Sequence, residues 1–168
     1  MAVLIISRGE YRNTDAIDRL TNYVLNPKKT PSCCYGGNGV DLCNPAKSMK
    51  KMKSICDQTT GKQAEHIILA FSHSEHSFIY TTLLRKIGYE ICNFFNNAQV
   101  LFSLHECSDT YGDFTTDGYH LHFVINTVNI RNGKKFGLDY SNEFLLKYYI
   151  LEILKKYDIT EKLILIAK

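Results

Sequence analysis

Three stretches of the chain alternate between apolar and mixed positions with a period of two, the mark of a strand whose faces meet different surroundings. From Glu65 to Ser72 one side is Ile67, Leu69 and Phe71, and the other is His66, Ile68, Ala70 and Ser72. From Gln99 to His105 the apolar side is Val100, Phe102 and Leu104, opposite Gln99, Leu101, Ser103 and His105. From Tyr119 to Asn126 it is Leu121, Phe123 and Ile125, opposite His120, His122, Val124 and Asn126. Each strand has one face fit for burial and one that carries histidine. Together they predict an α/β (α+β) two-layer sandwich: a central antiparallel sheet, helices packed on one face, and an open face for chemistry.

The period changes to that of a helix between these strands. Phe78 to Phe95 places Ile79, Leu83, Ile87 and Ile91 on one stripe, interrupted only by Gly88, and predicts a packing helix. Ser141 to Tyr157 predicts a longer one, capped by Ser141 or Asn142, with a wide stripe of Phe144, Leu145, Tyr148, Leu151, Ile153 and Leu154 and with Lys155 and Lys156 in its last turn. At the N-terminus Val3 to Ser7 reads as a strand, and a helix from about Thr14 to Asn26 is ended by Pro27. Leu163 to Ile166 reads as a final edge strand, and Asn132-Gly133 as a hairpin turn. Ser32 to Asn44, rich in Gly, Cys and Asn, reads as a loop. Lys47 to Lys53 is the densest positive cluster and takes no assignment from its pattern.

Composition narrows the class without choosing a function. A chain of 168 residues fits one domain over residues 1–168. Hydrophobic content of 45% and charged content of 22% are those of an ordinary folded domain, and eleven Tyr with nine Phe supply its large aromatics. No run approaches the roughly 18 apolar residues of a membrane span, and Ala2 to Ile6 lacks a basic leader and cleavage site, so a cytoplasmic protein is expected. The six cysteines have no CxxC rhythm and read as reduced thiols. A net charge of +3 is compatible with nucleic acid but does not argue for it alone.

The chemistry concentrates on the mixed strand faces. His120 and His122 share one face, and two neutral imidazoles side by side are a usual start of a divalent-metal site. If the strand ending in His105 pairs with theirs, three imidazoles meet and leave open coordination positions suited to gripping a phosphate. The 14 residues between His105 and His120 hold Asp109, Asp113 and Asp117, able to lend a carboxylate. A nucleophile is offered by Tyr23, on the edge of the Ile17, Leu20, Val24 stripe, with Tyr11, Tyr35 and Tyr119 as rivals. Lys28 and Lys29 follow that helix, and Lys47, Lys50, Lys51 and Lys53 with Arg131, Lys134 and Lys135 supply candidate phosphate contacts.

The run from Ala16 to Thr30, A-I-D-R-L-T-N-Y-V-L-N-P-K-K-T, resembles the first motif of bacterial plasmid-mobilisation relaxases of the MobA/VirD2-like, HUH-nuclease type. E-H-I-I-L-A-F-S-H-S-E, from Glu65, resembles their second motif, and Y-H-L-H-F-V-I-N-T-V-N, from Tyr119 and preceded by His105, their third. G-K-K-F, a long helix and K-K-Y-D-I fit the family's continuation, so the resemblance runs from about Ala16 to Ile159. Two departures stand out: Ala70 where relatives usually have Ser, and a longer link from His105 to His120.

The resemblance implies a palm-like fold and an enzyme that nicks and rejoins single-stranded DNA at an origin of transfer, for conjugative mobilisation in a bacterial cytoplasm. It implies Tyr23 as nucleophile, giving a 5′-phosphotyrosyl link, and His105, His120 and His122 as ligands of Mg or Mn. Imidazoles by themselves suit Zn or Mn better than Mg. Glu106 or Asp117 would orient a histidine or take the tyrosine proton. Lys28, Lys29, Thr30, His66, Ser72, Asn126, Lys134 and Lys135 would meet DNA, and accessory relaxosome proteins are implied as partners. A replication initiator or transposase-type nickase would carry its Tyr after the histidine pair, unlike this chain. A non-catalytic nucleic-acid or metal-binding module is the alternative from outside the enzymes.

Overall fold

The computed structural model describes residues 1–9, 11–71, 80–106, 109–111, 114–116, 118–160 and 162–167, with backbone alone for 109–111 and 114–116. Among the described residues eight strands and four α-helices follow one another as β1 (Ala2–Ser7), α1 (Ala16–Val24), β2 (Tyr35–Asn38), α2 (Pro45–Ile55), β3 (Ala64–Phe71), α3 (Thr81–Cys92), β4 (Val100–His105), β5 (Asp109–Tyr111), β6 (Phe114–Thr116), β7 (His120–Asn126), α4 (Tyr140–Lys156) and β8 (Leu163–Ala167). Six strands form one sheet in the order β2-β4-β7-β3-β1-β8, while β5 and β6 make a separate hairpin. The predicted alternation is realised in β3, β4 and β7, which sit together in the middle. The sheet is mixed, because β8 pairs with β1 in parallel. That follows from α4, a crossover long enough to return the chain in the direction of β7.

The apolar sides of the central strands meet α3 and α4. Phe102, Leu121, Phe123 and Ile125 are fully buried against Leu84 and Ile87 of α3 and Leu146 and Ile150 of α4. Each such side chain stabilises the fold by about 1.5–3 kcal/mol relative to exposure. The opposite face is covered over one end by α1 and α2, through Ile17, Leu20, Val24 and Met49 on Leu101 and Val124. The face available for chemistry is therefore narrower than alternation alone predicts.

Several boundaries differ from the expectations. α4 is capped by Asp139, whose carboxylate accepts the Asn142 N–H at 2.8 Å, and not by Ser141 or Asn142. Its inward stripe is Leu146, Ile150, Ile153 and Leu154, leaving Phe144, Leu145 and Tyr148 exposed, because a helix apolar nearly all round does not declare its face. Tyr35–Asn38, expected in a loop, is an edge strand beside β4. Gly36 makes that possible, since a Cβ there would lie 2.6 Å from the Tyr89 hydroxyl. The lysine cluster forms α2, which starts at Pro45 and buries Met49 and Lys53. The hairpin turn after β7 is present, with Val128 bridged to Lys135 and Gly133 at φ 69°. The described helix α3 begins at Thr81; the expected start at Phe78, with Ile79, lies outside the described residues.

Candidate active site

Pairing of β4 with β7 sets His105 opposite His120 and Ser103 opposite His122, so the three imidazoles converge at one end of the central strands. All three are fully buried. Their ligand nitrogens lie within 4.8 Å of one another. His105 Nε2 is 3.0 Å from the Val24 carbonyl, and His120 Nδ1 is 2.9 Å from the Gly118 carbonyl. A carbonyl accepts only from N–H, so these nitrogens carry protons, and in the neutral rings the lone pairs sit on His105 Nδ1 and His120 Nε2. The donor set fits a divalent cation.

His122 is held differently, by another histidine. Its Nδ1 is 3.0 Å from His66 Nε2, and the two rings stack with centroids 5.2 Å apart. His66 Nδ1 is 3.1 Å from the Tyr11 hydroxyl, which is 3.1 Å from Ser7 Oγ. For His122 to offer Nε2 to a cation, its Nδ1 must donate to His66. Each later link then has one direction: His66 Nδ1–H donates to Tyr11, and the Tyr11 hydroxyl donates to Ser7. Burial pushes the His66 pKa from 6.5 down to about 3, and burial with the neighbouring histidines holds His122 well below its ordinary value. Both rings are neutral at physiological pH, the state that ligation requires.

Tyr23 occupies the last turn of α1, half-buried beside this cluster. Its ring stands edge-on to His122, His105 and His66 at centroid distances of 5.4, 5.7 and 6.5 Å. Lys29 Nζ lies 5.0 Å from the ring centre. An open cleft of about 280 Å³ is lined by Tyr23 with Gly9, Tyr11, Ala16, Arg19 and Leu20. Of the rivals, Tyr11 shares this cleft, and the other two lie elsewhere. Tyr119 packs against the core under α3 and α4, Tyr35 lines another cavity, and Tyr11 is engaged with His66.

Comparison with known proteins adds one decisive finding: the family described as relaxase, MobA/VirD2-like, nuclease domain matches residues 23–159. The chain belongs to this relaxase family. No curated protein and no solved structure matches it. The match opens at Tyr23 and takes in all four histidines of the cluster. Membership carries nuclease activity on DNA, and the buried histidines are the relaxase's candidate metal centre. No described helix is long and apolar enough to cross a membrane.

The remaining expected residues of this relaxase fall in three groups. Thr30 is close to the centre, where its hydroxyl donates to the Val24 carbonyl at 3.0 Å and meets Ser103 Oγ at 3.0 Å, joining the end of α1 to β4. Glu106 follows His105 and is exposed, with its backbone N–H on the Lys29 carbonyl; Lys28 is exposed on the same segment. Asn126, Lys134 and Lys135 are not brought to the histidines. Asn126 is fully buried at the opposite end of β7, where its amide donates to Met49 O and Gln99 Oε1, and the two lysines lie on the turn beyond it. Ser72 and Asp117 lie outside the described residues. His66 belongs to the site as the partner of His122, a role its strand face allowed but did not specify. Tyr11 entered the sequence reading only as a rival nucleophile, and no periodic signal marks it as that chain's next link.

Proposed function

We propose that this chain nicks and rejoins single-stranded DNA at an origin of transfer, with Tyr23 as nucleophile and His105, His120 and His122 as ligands of a divalent cation. The observation that carries this reading is the Tyr23 ring, edge-on to His105 and His122 in an open cleft. The phenol oxygen attacks the scissile phosphorus, the bond to the 3′ oxygen breaks, and the tyrosine proton is balanced by the one the departing 3′ hydroxyl gains. The 5′ end remains joined to Tyr23, and the reverse attack reseals the strand. A bound divalent ion would supply Lewis-acid stabilisation of the non-bridging oxygens. Lys29, beside the Tyr23 ring, adds a positive charge where a phosphate would approach. The mobilisation setting and relaxosome partners are proposed on family membership.

The test is direct. Incubation with a single-stranded origin oligonucleotide and Mn or Mg should give a covalent protein–DNA adduct on a denaturing gel, absent in Tyr23→Phe. An adduct that persists in Tyr23→Phe and disappears in Tyr11→Phe would move the nucleophile. No adduct with either metal would leave a DNA-binding module.

A further inference from the structure

The positive cluster of the sequence contains one lysine that the fold buries. Lys53, on α2, is 1% exposed. Its ammonium donates to Thr127 Oγ1 at 2.8 Å, and Thr127 itself donates to the Lys62 carbonyl. Among the described residues no carboxylate pairs with it, and the charge that acts on it is a second lysine, Lys135. An ammonium has three N–H groups, and one hydroxyl satisfies one of them. Burying an ammonium without a counter-charge is unfavourable, so such a group invites an anion. Burial and Lys135 draw its pKa from 10.5 to about 8, which leaves it mostly charged at neutral pH.

Lys53 also forms part of the wall of a cavity of about 180 Å³, with Lys50, Thr14, Thr59 and Gln63. The loop at its mouth is held in shape from inside. Gln63 Nε2 donates to the Thr59 and Gly61 carbonyls, and Lys135 Nζ donates to the Thr60 carbonyl. Lys50 is already paired with Asp18 on α1, which fixes the second wall. The wall brings together a buried lysine and two exposed threonines. This combination suits a tetrahedral oxyanion.

We propose that this cavity is an oxyanion site that takes a backbone phosphate of the DNA strand, held by Lys53 with Thr14 and Thr59. The choice of DNA as ligand rests on the relaxase reading. Thr14 lies two residues before the start of α1, and from Ala16 to Tyr23 that helix advances roughly 10 Å at about 1.5 Å per residue. The open cleft beside Tyr23 borders the same helix through Ala16, Arg19 and Leu20. A strand leaving Tyr23 along α1 would reach the cavity, which anchors it away from the scissile bond.

Equilibrium binding of a single-stranded oligonucleotide, measured in a Tyr23→Phe background to prevent turnover, tests the site. Lys53→Met should weaken binding about tenfold and reduce the slope of log affinity against log salt by about 0.7, the loss of one phosphate contact. Thr14→Ala with Thr59→Ala, two exposed positions that spare the fold, should weaken binding in the same direction. A parallel arm measures thermal stabilisation by inorganic phosphate at constant ionic strength. Stabilisation lost in Lys53→Met while DNA affinity is unchanged would replace the DNA strand by a free phosphate ligand and overturn the proposal. Unchanged affinity, slope and phosphate response would make Lys53 a structural residue and overturn the site altogether. Failure of the relaxase reading is seen separately, as absence of adduct with Tyr23 intact, and leaves both binding arms readable.

Discussion

His66 has both ring nitrogens engaged, one toward His122 and one toward Tyr11, and is nearly fully buried while doing so. A residue so placed acts through its neighbour: in the tautomer in which His122 Nδ1 donates to it, the lone pair stays on Nε2, the atom a cation would take. Groups of this kind typically change metal affinity by 10–100-fold when removed. His66→Leu should therefore weaken Mn binding, followed by titration calorimetry or electron paramagnetic resonance, by about that factor. Tyr11→Phe should weaken it less, because His66 stays and loses only its acceptor. Unchanged affinity in both would sink the directional chain from Ser7 to His122. At this scale the sequence was partly legible. The shared face of His120 and His122 follows from alternation, and His105 follows once β4 and β7 pair. The links through His66 and Tyr11 do not, since hydrogen-bond partners 55 residues apart have no local signature.

Elements were legible where burial on one face imposes a period, and obscure where packing is bought by the absence of a side chain. Gly88 interrupts the stripe of α3 and reads as a weak point. In the structure a Cβ at Gly88 would lie 2.5 to 2.9 Å from the Phe102 ring, so the glycine lets the helix approach β4. Gly88→Ala should destabilise the protein despite its better helix propensity, by about 1–3 kcal/mol less the roughly 1 kcal/mol that propensity returns. Urea denaturation reads the difference, and a stabilised variant would mean that Phe102 repacks without strain. Gly36 in β2 follows the same logic, and it explains why a Gly-rich stretch is a strand. α2 was hidden for another reason: Lys53, a core position of its stripe, is a charged residue.

Across the whole molecule, Tyr23, His66, His105, His120 and His122 come from α1, β3, β4 and β7 and meet only in the native fold. A cation held there binds the folded chain and not the unfolded one, so it must add to stability. At a hundredfold excess over its dissociation constant the gain is about 2.7 kcal/mol. For a chain of this length that raises Tm by roughly 5–10 °C. Thermal melts with Mn against a chelator should show the shift, and His120→Ala with His122→Ala should abolish it. Equal melting temperatures in the two conditions would rule out a cation at the histidines. The sequence by itself determined which faces of β3, β4 and β7 are buried and which carry histidine, because burial on one side of a strand is written locally with a period of two. It also set the order of Tyr23 and the histidines by which the family resemblance reads. Only the tertiary structure decided that β8 joins in parallel, that α1 and α2 narrow the open face, and that Tyr11 and His66 stand behind His122. It alone buried Lys53 beside a cavity. Those outcomes depend on strand order and on the packing of segments distant in the chain, for which no local pattern exists.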